Sequence, residues 1–144
     1  MTKKFITVTL FFIFYSNTIF AESSRYFNFD KGIVPLIYHR FGEPKYPSTN
    51  IQMDVFKKQI DTINESNYNY FNLDDFESFF KKPSLEKKIL ITIDDAFTSF
   101  YKNAWPYLKE NKIPFILFVS TEPMGKYGYM NWDQIREIEK EDFV

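Results

Sequence analysis

The chain contains no cysteine. That excludes disulfides, thiolate metal sites, a cysteine nucleophile and a lipidated N-terminal Cys. It does not exclude export, since many exported proteins of ordinary size fold without disulfides. Histidine is nearly as scarce: His39 stands alone, so a zinc site of two His and one carboxylate cannot be assembled from this chain. A Ser-His-Asp hydrolase could draw only on His39, and no Gly-x-Ser-x-Gly elbow is present. The four glycines are scattered, which excludes a Gly-rich phosphate loop. Charge of one sign is also lacking. The formal net charge of −1 gives neither a basic footprint for nucleic acid nor a polybasic surface for anionic lipid.

What remains is the material of one modest domain: 144 residues, 44% hydrophobic and 26% charged. Aromatics reach 21%, with 18 Phe and 10 Tyr. Two uses are open for them, the core and the stacking of sugars on exposed rings. The N-terminus reads as a secretory signal. Lys3 and Lys4 precede an apolar run over 5–15, a polar Ser16-Asn17-Thr18 follows, and Ala21 is a plausible last residue before cleavage. The run is shorter than the ~20 residues of a membrane span. Ile19, an imperfect residue before the cut, keeps an uncleaved anchor open as the alternative, and that anchor would be the chain's sole membrane contact. The expected organisation is a signal over 1–21, an exposed lead-in over 22–32 and one domain over 33–144. The expected location is exported: periplasmic, extracellular or associated with the cell envelope.

Along the domain, strand and helix patterns alternate. Residues 33–38 form an apolar strand candidate. A helix is predicted over 53–66, with Phe56, Ile60 and Ile63 on one stripe. A short strand is expected over 68–71. Asn72 then caps a brief helix whose Phe76, Phe79 and Phe80 should face the core. Residues 89–93, Ile-Leu-Ile-Thr-Ile, suit a strand buried on both faces in a parallel sheet. A helix over 97–111 contains Pro106, so a kink or restart is expected there. Residues 114–119 are the next strand. Asn131 with Gln134 resembles a capping box for a helix through Trp132, Ile135 and Ile138. This is the pattern of βα units, an α/β fold with a parallel sheet or barrel. The chain stops at Val144, where a further strand should begin.

In such folds functional side chains gather at the carboxyl ends of strands. Asp94 and Asp95 end the clearest strand, within Ile91-Thr92-Ile93-Asp94-Asp95-Ala96. His39 ends another, and Ser120 and Thr121 a third. Two adjacent carboxylates at a strand end point in different directions. One can hold a cation while the other takes a proton from a substrate or water. The competing reading is that Asp95 caps the following helix, with Thr98 in its first turn, and Asp94 is a solvated turn residue. His39 is open to the same doubleness, as a ligand or as a hydrogen-bonded loop residue.

Taken together these segments resemble the NodB-like polysaccharide deacetylases of carbohydrate esterase family four. The resemblance runs through Val34-Pro35-Leu36-Ile37-Tyr38-His39-Arg40-Phe41, Phe56-Lys57-Lys58-Gln59-Ile60, and Ile91-Thr92-Ile93-Asp94-Asp95-Ala96-Phe97. It continues through Ala104-Trp105-Pro106-Tyr107-Leu108, Ile113 to Val119, and Met130-Asn131-Trp132-Asp133-Gln134-Ile135. The Tyr-His opening is most similar to the poly-N-acetylglucosamine deacetylase branch. The resemblance implies the N-terminal part of a deformed (β/α) barrel that removes N- or O-acetyl groups from an acetylated polysaccharide. It implies Asp94 as catalytic base and Asp95 as ligand of a divalent metal, usually zinc, with His39, Thr92 and Trp132 lining the pocket. Two departures stand out. Ala96 occupies a place usually held by Gly, where a positive φ would be strained. The family's His-Ser/Thr-x-x-His segment, which gives the remaining metal ligands, is absent, and that leaves open a catalytically inactive or passive glycan-binding chain.

Overall fold

The computed structural model describes residues 32–81 and 86–144. The expected signal segment (1–21) and almost all of the lead-in (22–32) lie outside the described residues. In chain order the elements are β1 (Gly32–Tyr38), β2 (Arg40–Phe41), β3 (Asn50–Ile51), α1 (Met53–Asn64), β4 (Asn69–Tyr70), a 3-10 turn (Leu73–Asp75) and α2 (Phe76–Lys81). Then come β5 (Lys87–Asp94), a π-helical turn (Phe100–Ala104), α3 (Trp105–Glu110), β6 (Ile116–Phe118) and α4 (Trp132–Ile138).

β5 organises the sheet. β1 pairs with it in parallel along its whole length, from Gly32↔Lys87 to Tyr38↔Ile93. β4 pairs with its beginning and β6 with its end, the latter through Thr92↔Ile116 and Asp94↔Phe118, again in parallel. β2 and β3 make a separate two-stranded parallel sheet. The expectation of an α/β fold on a parallel sheet is met.

Alternation along the strands splits the sheet into two faces. Ile89, Ile91 and Ile93 point into a core that also takes Phe56 and Ile60 of α1, Phe100, Leu108 of α3, Met130 and Ile138 of α4. Rings meet edge to face at its centre: Tyr38 on Phe56 at 5.1 Å, Phe41 on Phe56 at 5.0 Å and Phe100 on Phe115 at 5.3 Å. Part of the aromatic content is spent here. The other face carries Pro35 and Ile37 of β1, Thr92 and Asp94 of β5, and Phe118 of β6, around a cavity of about 410 Å³.

The local signals behave as their chemistry requires. The Asn131 side chain accepts from the Gln134 N–H while the Gln134 side chain accepts from the Asn131 N–H, the capping box expected for α4. The Asn72 side chain accepts from the Asp74 N–H. Pro106 does restart its helix. The Trp105 N–H reaches back five residues to the Phe100 carbonyl, and Pro106 then falls in the first turn of α3, where its missing N–H costs little.

One expectation fails. Phe76 is 48% exposed instead of facing the core. The 3-10 turn at Leu73–Asp75 advances the helix at three residues per turn, which shifts the phase assumed for a continuous α-helix. Phe79 does turn inward, onto Phe71 at 5.7 Å; the Phe80 side chain lies outside the described ones.

Removal of the ring at the core centre gives a direct check. Phe56→Ala is expected to cost about 3–5 kcal/mol and Ile93→Val about 0.5–1.5 kcal/mol in urea unfolding. Near-equal losses would contradict the central position of Phe56.

Candidate active site

The site is set by register. Because Tyr38 lies opposite Ile93, the next residue of each strand, His39 and Asp94, emerges at the same edge of the sheet. The His39 Nε2 stands 3.7 Å from Asp94 Oδ2, and the two side chains are 33% and 34% exposed. On the far side of β5, Phe118 lies opposite Asp94, so Ser120 arrives beside the end of β5. Its Oγ donates to Asp95 Oδ1 at 2.9 Å. The two adjacent carboxylates therefore diverge, Asp94 toward β1 and Asp95 toward β6. Both line the 410 Å³ cavity together with Ser120 and Val119.

The divergence is produced by a left-handed turn. Asp95 has φ 69° and Ala96 φ 55°. Asp tolerates this region; Ala pays about 1 kcal/mol or more for it. The strain anticipated from Ala in a Gly position is present. The turn is held from outside, since the buried Ala96 offers its carbonyl to the Met130 N–H at 2.9 Å.

The capping alternative for Asp95 does not describe this turn. The Thr98 N–H donates to the Gly128 carbonyl at 2.9 Å, and the Asp95 carboxylate is engaged by Ser120 instead.

Arg40, which follows His39, joins three loops. Its guanidinium lies 3.5 Å from the centre of the Phe97 ring and 4.1 Å from that of Tyr46, and its Nη1 donates to Glu43 Oε2 at 3.0 Å. Phe97 in turn packs on Tyr129 at 4.9 Å. The segments after β2, β5 and β6 are thus tied by one series of ring contacts next to the carboxylates. Composition carried no trace of it: pairing Arg40 with Phe97 requires the fold. Ser120 carried a weak trace, as a polar residue just past a strand.

Thr92 is buried on the cavity face and donates to the Leu36 carbonyl at 3.3 Å, so it braces β1 against β5. Trp132 is elsewhere. It lines a separate cavity of about 470 Å³ with Phe115, Leu117 and Ile135, and is not among the residues around the carboxylates.

A tetrahedral zinc site takes three or four protein donors. Among the described residues no three His, Cys, Asp or Glu side chains converge. Asp95 is one donor, and His39 is paired with Asp94. The described residues do not make a zinc site on their own.

Parallel strands that deliver a carboxylate pair and a His to one edge define a (β/α)-type carboxylate site. Comparison with known proteins gives the chain's similarities. Residues 81–144 match the family model described as polysaccharide deacetylase. The chain is 28% identical over 104 residues to the poly-beta-1,6-N-acetyl-D-glucosamine N-deacetylase of Staphylococcus aureus, covering 72% of this chain and 36% of that one. Its fold matches the structure of IcaB from Ammonifex degensii with a TM-score of 0.67 at 30% identity, over 76% of this chain and 48% of that one. A de-N-acetylase from Aggregatibacter actinomycetemcomitans shares the fold at TM-score 0.65 and 19% identity, over 78% and 52%. Residues 81–144 are thus similar to the polysaccharide deacetylases, and over about three quarters of its length the chain has the fold of the solved deacetylases. It spans about a third of that curated relative's length and about half that of the two solved structures.

Substitution at the strained turn tests its geometry. Ala96→Val, β-branched at a positive φ in a fully buried position, is expected to cost more than about 2 kcal/mol. In Ala96→Gly, relief of strain offsets the lost methyl, leaving stability within about 1 kcal/mol of the parent. Equal melting of parent and Ala96→Val would show that the turn is not left-handed.

Proposed function

We propose that this chain carries the base-bearing part of a polysaccharide deacetylase site acting on N-acetyl groups of an amino-sugar polymer. The observation that carries the reading is the divergence of Asp94 and Asp95 at the rim of one cavity, with His39 beside the first and Ser120 holding the second. A cavity of this size lies in the range of about 300–1,000 Å³ typical of small-ligand pockets, enough for one sugar unit.

The chemistry is hydrolysis of an amide. Asp94 takes a proton from the attacking water as its oxygen bonds to the acetyl carbon. The carbon–nitrogen bond then breaks, the acetyl group leaves as acetate, and the amine nitrogen must gain a proton. His39, next to Asp94 and one-third exposed, is placed to pass it. Asp95 is the carboxylate offered to a divalent metal, and Ser120 fixes its orientation. A metal bound at this point would polarise the acetyl carbonyl. The other donors that ion requires are not among the described residues. Export to the cell envelope, expected from the N-terminal segment, agrees with a polymeric substrate outside the cell.

The missing donors favour a second reading, in which the chain binds acetylated glycan without cleaving it. Acetate release from poly-β-1,6-N-acetylglucosamine, with and without added zinc, separates the two. The first reading expects release that falls about 10²–10⁴-fold in Asp94→Asn; undiminished release in that variant would remove Asp94 from the role of base. Polymer binding with no release at saturating zinc selects the second reading. Calorimetric titration of the chain with zinc is expected to show binding far weaker than that of a three-donor site, and loss of that binding in Asp95→Asn.

A further inference from the structure

Tyr127 is fully exposed, with a relative accessibility of 102%. That is unusual for an aromatic side chain in a well-built loop, and this loop is well built. The Gly125 N–H donates to the Met130 carbonyl at 2.7 Å, Lys126 to Pro123 at 2.9 Å and Tyr129 to Lys126 at 3.1 Å, and the Lys126 ammonium bonds Glu122 at 2.8 Å. Gly125 (φ 76°) and Gly128 (φ 87°) turn the chain on either side, so the backbone itself presents the ring to solvent.

The loop is also fastened to the segment that follows the carboxylates. The Thr98 N–H donates to the Gly128 carbonyl, the Met130 N–H to the Ala96 carbonyl, and Tyr129 packs on Phe97. Tyr127 therefore stands on the same carboxyl edge of the sheet as Asp94 and Asp95, outside their cavity. A polymer with one unit at the carboxylates must continue outside that cavity, and a neighbouring unit crossing this edge would meet the ring.

We propose that Tyr127 is a stacking platform for a sugar unit flanking the one held at Asp94 and Asp95. A rigid ring with an apolar face and a polar tip meets the C–H face of a pyranose at little entropic cost. The proposal rests on the polymer-binding reading above and extends it to chain length.

The test compares a β-1,6-linked N-acetylglucosamine hexamer with the monosaccharide, binding each to the 144-residue chain. In Tyr127→Ala the ratio of hexamer to monomer affinity is expected to fall roughly three- to tenfold. In Tyr127→Phe, which keeps the ring face and loses the hydroxyl, the ratio should be retained. An unchanged ratio in Tyr127→Ala overturns the platform while leaving the polymer reading in place. Equal loss in the two variants also overturns it, in favour of a hydroxyl hydrogen bond. Failure of the parent chain to bind the hexamer overturns both.

Discussion

The pairing of β5 is the constraint on which the rest depends. One strand, Lys87–Asp94, accepts β1 along its full length on one side and shares the other between β4 at its beginning and β6 at its end. Every residue at the rim is located relative to its last position. His39 reaches Asp94 because β1 ends in register with Ile93, and Ser120 reaches Asp95 because Phe118 sits opposite Asp94. A slip of one residue would exchange the faces of β1 and β6, carrying Ile37 and Phe118 into the core and the site out of register. The apolar face of β5, with Ile91 and Ile93 fully buried, opposes such a slip.

A strand end alone would leave two neighbouring carboxylates in the same solvent. The left-handed turn at Asp95 and Ala96 gives them separate surroundings. Its cost is met by contacts beyond the turn: the Met130 N–H on the Ala96 carbonyl, and the packing of Phe97 against Arg40 and Tyr129. Strained backbone persists where its surroundings over-determine it, and here the strain separates a group near an imidazole from a group held by a hydroxyl. Two otherwise identical side chains therefore sit in different surroundings.

Similarity to the polysaccharide deacetylases and the donor count pull in different directions. An imidazole stands beside Asp94 at the cavity rim, while among the described residues no three His, Cys, Asp or Glu side chains converge. Ile37 and Phe118, both exposed, lie on the cavity face of a sheet whose solved relatives are about twice as long as the span matched.

By itself the sequence determined the elements and their chemistry. The continuous apolar run and β-branching of residues 89–93 specify a buried parallel strand; the spacing of Phe56, Ile60 and Ile63 specifies one helix face; Asn131 with Gln134 specifies a cap; Pro106 specifies a break. Each is a local signal, carried within one or two turns of chain. The Asp94-Asp95 pair at a strand end was legible for the same reason. Only the tertiary structure decided which neighbours those carboxylates have, because His39 and Ser120 lie 55 and 25 positions from their partners and meet them through strand register. It also decided that Phe76 faces outward after a 3-10 turn, that Trp132 belongs to another cavity, and that Tyr127 stands exposed at the site's edge while rings such as Phe41, Phe56 and Phe100 fill the core. Composition counts aromatic rings; packing against the rest of the chain decides which of them remain available to a ligand.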